Sequence, residues 1–196
     1  IQWGFRVYPD IPALFFTLVS FYFLLKKEKC EEKRKSLIFI ALAGLTASLS
    51  FLTRFSLALF AFCVGIYYLF KGKYKTFLVF SIFFILTLSP WLIYNQLHYK
   101  DPLWDVKQYY TAVQQWTFEE PPLKQVANLF RCMGLLALFI PFGFFYLTKK
   151  QKNEKLFLLI LIYVIISFTY YLFFVKQKDI RYYLAFLPFL YILAFH

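Results

Sequence analysis

Apolar positions in this chain come in long, nearly uncharged blocks rather than in stripes of helical or strand period. Seven blocks stand out: Pro9–Leu25, Ser36–Thr53, Phe55–Phe70, Thr76–Leu97, Cys132–Thr148, Leu156–Val175 and Tyr182–His196. Apart from Asp10 at the start of the first, none carries Asp, Glu, Lys or Arg. A helix that crosses a bilayer needs about 20 mostly apolar residues, so the pattern predicts about seven spans. The third and seventh blocks are short. A membrane β-barrel would instead alternate apolar and polar residues in segments of about ten, which Leu156–Val175 does not do. The expected fold is an all-α, polytopic transmembrane helical bundle forming one transmembrane domain over residues 1–196.

The polar segments between the blocks set an orientation. Lys26–Lys35 reads KKEKCEEKRK, Lys71–Lys75 reads KGKYK and Lys149–Lys155 reads KKQKNEK; together they hold thirteen of the 22 Lys and Arg residues. Short Lys/Arg-rich loops mark the cytoplasmic side of a membrane protein. Residues 1–8, the turn at Arg54, the long loop His98–Arg131 and Lys176–Arg181 then fall outside, and all seven blocks fit the alternation. Trp3, Tyr67, Tyr68, Trp91, Tyr94, Tyr170, Tyr171, Tyr182 and Tyr183 lie near block ends and are expected at the headgroup layer. In the outer loop, Val106, Tyr109, Tyr110, Val113 and Trp116 share one face of a helix, with Asp105, Lys107, Gln108 and Gln114 opposite. Such a helix lies along the membrane interface and could cover or grip a lipid-linked substrate, with Trp104, Tyr109, Tyr110 and Trp116 as its gripping side chains. Pro90, Pro141 and Pro188 sit inside blocks, where each frees a backbone carbonyl.

Composition agrees with the pattern: 61% hydrophobic, 24% aromatic and 16% charged residues, against about 45–50% apolar and 25% charged in soluble domains. The net charge of +12 is a topogenic and lipid-contact signal, because the densest basic loops are short and abut apolar blocks. Nucleic acid is not an expected partner; membrane lipids are. Cys30, Cys63 and Cys132 show no metal-binding spacing, and Cys63 is expected to be buried. The chain opens on Ile1 and closes within an apolar run, so it reads as a piece of a longer protein.

Few polar groups remain for chemistry, and those at the outer block ends stand out. Arg6 and Asp10 are spaced to share a helix face, or Asp10 caps the following helix with Pro12 in its first turn. Arg54 lies between two apolar blocks, where it could meet a lipid phosphate or merely the headgroups. Arg181 precedes the last block. Arginine pairs bidentately with phosphate, and a carboxylate can take a hydroxyl proton or hold a metal. There is no phosphate-binding P-loop, zinc-protease HExxH or GxSxG motif, and His98 is a lone loop residue.

The stretch GFRVYPDIPALFFTLVSFYFLLKK, residues 4–27, resembles membrane-embedded GT-C glycosyltransferases of the dolichyl-phosphate-mannose–protein mannosyltransferase and aminoarabinose transferase type. ALAGLTASLSFLTRFSLALFAFCVGIYYLF, residues 41–70, is similar to that family's Gly-Leu, small-residue, Phe-Leu-Thr-Lys pattern, with Arg54 in the basic position. SPWLIYNQLHYKDPLW, residues 89–104, resembles its Pro-Trp … Asn … Gly-Asn-Pro exit from a span, with Lys100-Asp101 in place of Gly-Asn. RYYLAFLPFLYILA, residues 181–194, resembles the entry to a late helix, with Ala185 where a proline is common. The resemblance implies transfer of a sugar from a polyprenyl-phosphate carrier to a protein or lipid hydroxyl at the outer face. It implies Asp10 as the residue that positions acceptor or metal, and Arg6, Arg54, Arg181 and Tyr182 beside the donor phosphate. It also implies a main base upstream of residue 1, so that this chain alone would be inactive. It implies no definite cofactor, and a divalent cation could take part. A transporter or lipid flippase, or a non-catalytic membrane scaffold, are the competing readings.

Overall fold

The computed structural model describes residues 9–115, 127, 157–173 and 187–190. Among these the chain is all-helical, with no strand. Helix α1 spans Asp10–Lys29, α2 Lys33–Thr53, α3 Ala58–Phe70, α4 Tyr74–Tyr99, α5 Trp104–Gln115 and α6 Phe157–Phe173; a 3-10 turn, Phe55–Leu57, precedes α3. The expected blocks become α1, α2, the 3-10 turn with α3, α4 and α6. The block Cys132–Thr148 lies outside the described residues, as do Trp3, Pro141, Tyr182 and Tyr183. Of the last block only 187–190, which is helical, is described. Two helices, α2 and α4, are long and apolar enough to cross a membrane; α3 with its 3-10 turn and α6 are shorter apolar helices.

The chain divides into two compact units, Ile1–Ser89 and Pro90–His196. In the first, α1 and α2 form an antiparallel pair whose seam is built from small and hydroxyl side chains. Ala13, Thr17, Ser20, Ala43, Ala47 and Ser50 are all buried. The Thr17 and Ser50 hydroxyls lie 2.7 Å apart, Ser50 Oγ donates to the Ala13 carbonyl at 2.8 Å, and Ser20 Oγ donates to the Ala43 carbonyl at 2.8 Å. Lipid tails are as apolar as leucine, so helices in a bilayer gain little by burying leucine. They associate instead through close backbone approach and hydroxyl bonds of this kind. Gly44 extends the logic to α4: a Cβ there would lie 2.5 Å from the Phe80 carbonyl oxygen. Only a hydrogen at that position lets the two backbones approach so closely.

The outer surface of α4 is apolar as well. Leu78, Ile82, Phe83, Ile85, Leu86, Ile93 and Leu97 are all exposed. A monomer in water rarely shows a contiguous apolar face of that size, whereas a helix facing lipid shows little else. Pro90 sits inside α4 and removes the donor that would serve the Leu86 carbonyl; Ser89 Oγ supplies one instead, at 2.8 Å. The helix therefore continues through the proline to Tyr99. His98 belongs to the last turn of α4 rather than to a loop, because the helical pattern outlasts the apolar one; its ring stacks on Tyr94 with centroids 4.1 Å apart.

Three aromatic expectations are corrected, and Tyr171, on α6, is one of them: it is buried. Tyr67 and Tyr68 do not face a headgroup layer: both are fully buried at the end of α3, packed against each other. Cys63, one turn earlier, is buried as expected.

Candidate functional site

Each end of the first unit carries one cluster of charge. At the start of α1, Pro9 fills the N-cap position and no side chain caps the helix. Asp10 is therefore not the cap; it lies in the first turn, buried, and forms an ion pair with Nη1 of Arg54. The reason is local. Arg54 follows the last turn of α2 in extended conformation, at φ −152° and ψ 112°, before the 3-10 turn restarts the chain. That break faces the beginning of α1, because α1 and α2 run antiparallel. Arg54 Nε also donates to Ser56 Oγ at 3.1 Å, so a hydroxyl two residues on fixes the plane of the guanidinium. With side chains only 14% and 8% exposed, the two charges are held largely out of solvent. A buried charge needs its partner: removing one of such a pair costs about 3–5 kcal/mol, whereas replacing both by apolar groups is often neutral.

The opposite end is built from α1's last turn and the turn between α3 and α4. Gly72, at φ +64°, ends α3; its amide donates to the Leu69 carbonyl and that of Lys73 to the Tyr68 carbonyl. This left-handed glycine termination turns Lys73 back toward α1. Lys73 Nζ donates to both Glu28 carboxylate oxygens, at 3.1 and 3.0 Å, and Lys27 Nζ donates to the same carboxylate at 2.7 Å. The Lys27 ammonium also lies over the Tyr68 ring, 4.8 Å from its centroid. Burial pulls the Lys27 ammonium below its ordinary range against the attraction of Glu28. Burial alone would raise Glu28, but the hydrogen bonds from the two lysines win and hold its carboxyl below the usual range.

Between these ends lies an apolar groove of about 370 Å³. Phe51, Ala58, Phe62, Phe77 and Phe84 are among its walls. Its lining comes from the last turns of α2, from α3 and from the first half of α4.

In the second unit, α5 forms where the amphipathic pattern predicts it. Val106, Tyr109 and Tyr110 are half-buried, while Lys107 and Gln108 are exposed. Asp105 departs from the expected polar face: its carboxylate accepts from Trp91 Nε1 at 3.0 Å and from Asn95 Nδ2 at 3.1 Å. It ties α5 to the last turns of α4. Trp104 opens α5, partly exposed, and stacks on Tyr99 with ring centroids 5.4 Å apart. Tyr109 and Tyr110 meet edge to face. Lys100, one of the two departures from the resembled Gly-Asn, is the only described non-glycine residue at positive φ, 57°. A glycine would hold that conformation without strain. Asp101 accepts from the Leu103 amide at 3.0 Å and pairs with Lys107; that lysine holds the carboxyl below its ordinary range.

Of the residues singled out in the sequence, Asp10 and Arg54 are brought together. Trp104, Tyr109 and Tyr110 share α5. Arg6, Trp116, Arg181 and Tyr182 lie outside the described residues. Sequence reasoning missed Ser56 and the Glu28 cluster. The sequence carries no signal that sets Glu28 apart from Glu31 and Glu32. Among the described residues no three His, Cys, Asp or Glu side chains gather to hold a metal, and the single carboxylate of Asp10 is already occupied by a guanidinium. Compared with protein-family models, characterised proteins and solved structures, the chain matches none.

Proposed function

We propose that the chain is a multi-pass membrane module of a glycosyltransferase, with about seven spans and its active face extracytoplasmic. It moves a sugar from a polyprenyl-phosphate carrier to a protein or lipid hydroxyl. The observation that carries this reading is the buried Asp10–Arg54 pair, at the end of the first unit away from the basic loops. A carboxylate and a guanidinium separated by most of two helices in sequence meet there, and the same unit holds an apolar groove suited to an isoprenoid chain.

The chemistry needs few groups. The acceptor oxygen attacks the anomeric carbon, the bond from that carbon to the phosphate oxygen breaks, and its electron pair leaves with the phosphate. The configuration inverts in a single displacement. The hydroxyl proton passes to a carboxylate base of the kind the resemblance implies. The carrier phosphodiester bears one negative charge and the departing monoester up to two, so a cation beside it binds the later state more tightly. That difference is what accelerates a reaction. Arg54 supplies such a cation, worth about 3–4 kcal/mol if it equals a strong oxyanion donor. Asp10 holds Arg54 in place between turnovers and orients the acceptor hydroxyl once phosphate competes for the guanidinium.

The test is turnover of a labelled polyprenyl-phosphate sugar by the intact protein in its membrane. Asp10→Ala and Arg181→Ala each abolish transfer or reduce it at least a hundredfold. Because Asp10→Ala also strands a buried arginine, the double variant Asp10→Ala/Arg54→Met is the control. It regains thermal stability and stays inactive. Turnover that survives in the double variant defeats the assignment. Carrier movement across the bilayer without sugar transfer identifies a flippase instead.

A further inference from the structure

The two basic loops of the first unit are one surface, and we infer that this surface is a discrete binding site for an anionic phospholipid. The inference rests on α2 and α4 lying in a membrane, and not on the transferase chemistry. Lys73 on Glu28 joins the turn after α3 to the end of α1, so loops more than forty residues apart are fastened edge to edge. Around this clasp Lys26, Lys29, Lys33, Arg34, Lys35, Lys71 and Lys75 are exposed, against only two exposed carboxylates, Glu31 and Glu32. One of those carboxylates, Glu32, is paired with Lys35. The surplus of positive charge is therefore gathered at one end of the unit.

Charge alone would suit any polyanion. The neighbouring side chains select a lipid. Leu37 and Ile38 at the start of α2, Phe70 at the end of α3, and Tyr74 and Leu78 at the start of α4 are all exposed, Phe70 by 83%. The cations thus border an uncovered apolar rim. A phospholipid presents the matching pair, a phosphate for the lysines and acyl chains for Leu37, Phe70 and Leu78. A soluble phosphate has nothing to lay against that rim, and Leu37, Ile38 and Leu78 match acyl chains rather than nucleobases. Glu28 serves as the clasp and is not a ligand: it is spent on Lys27 and Lys73, leaving the outer lysines to the headgroup.

The experiment measures retention of phosphatidylglycerol over phosphatidylcholine by the full chain, from mixed micelles of an uncharged detergent, by native mass spectrometry. The variant Lys26→Gln/Lys29→Gln/Lys71→Gln/Lys75→Gln removes only exposed cations and leaves the clasp intact. Retention of phosphatidylglycerol should fall on the order of a hundredfold, with helix content by circular dichroism unchanged. Lys149→Gln/Lys150→Gln/Lys152→Gln/Lys155→Gln removes the same charge from another loop and should leave retention within about twofold. An equal loss in both variants, or in neither, overturns the site. Free glycerol phosphate, which carries the headgroup without tails, should fail to displace the lipid. Displacement by it at equal concentration marks a site for soluble anions and overturns the assignment to lipid.

Discussion

Glu28 shows how one carboxylate can serve two cations without being a site for chemistry. Its side chain is 9% exposed and receives hydrogen bonds from Lys27 and Lys73, which keep its folded pKa below the unfolded value. The stabilisation is therefore fully present above the unfolded carboxylate pKa, about 4.5, and is lost as pH falls through the lower folded value. Thermal midpoints measured in an uncharged detergent should hold from neutrality to about pH 5 and then drop below about pH 4. Glu28→Gln should lower the midpoint at neutral pH and remove that particular drop. At neutrality it leaves the buried Lys27 without its counter-charge, at a cost of about 3 kcal/mol. Lys73, 35% exposed, recovers part of its share from water. A Glu28→Gln protein that keeps both the wild-type midpoint and the wild-type acid transition contradicts this account. The same residue marks a limit of reading by sequence. In KKEKCEEKRK it is one acid among several, and nothing in the string says that this one alone turns inward to meet a lysine from the next loop. Asp10 and Arg54 were legible because each stood alone among apolar residues. That they meet one another was not, since the pairing depends on the break that ends α2.

At the scale of elements, the helices follow from the apolar blocks, and block ends mark helix ends to within a few residues. α1 runs to Lys29 because Lys26–Lys29 continue a helix into the polar layer, and α4 runs to Tyr99 because Ser89 compensates for Pro90. Hydropathy does not encode which helix touches which. That information lies in the small residues, and it separates two glycines that look alike in sequence. At Gly44 a Cβ meets backbone, the Phe80 carbonyl oxygen at 2.5 Å and the Phe84 nitrogen at 3.3 Å, so α4 must move to admit it. At Gly65 a Cβ meets only the Phe77 ring, at 3.3 Å, which can rotate aside. Gly44→Ala should therefore destabilise the protein by about 1–3 kcal/mol, the usual cost of overpacking. Gly65→Ala should change stability by less than about 1 kcal/mol, because alanine's better helix propensity offsets a small side-chain shift. Thermal unfolding of both variants in the same detergent decides it. Equal losses would show that the close contact of α2 with α4 is not what Gly44 is for.

At the scale of the molecule, the two ion clusters give the first unit a polarity that the loop charges had suggested. Glu28 and Lys73 place both basic turns at one end, and Asp10 with Arg54 occupies the other, about 30 Å away along a twenty-residue helix. A soluble bundle has no need to sort lysines to one end, whereas a membrane protein does, since Lys/Arg-rich loops are retained on the cytoplasmic side. The structure also supplies its own reporter, because Cys30 is a free, partly accessible thiol within the first basic loop. With Cys63 and Cys132 replaced by alanine, an impermeant maleimide applied to intact cells should leave Cys30 unmodified, and permeabilisation should expose it. Ala112→Cys, on an exposed position of α5, should react without permeabilisation once Cys30 is also replaced. Two outcomes would undo the orientation: Cys30 labelled from outside, or Ala112→Cys labelled only after permeabilisation. Either would put the Asp10–Arg54 pair or the aromatic helix on the wrong side for an extracytoplasmic sugar transfer, whatever the chemistry of the residues themselves.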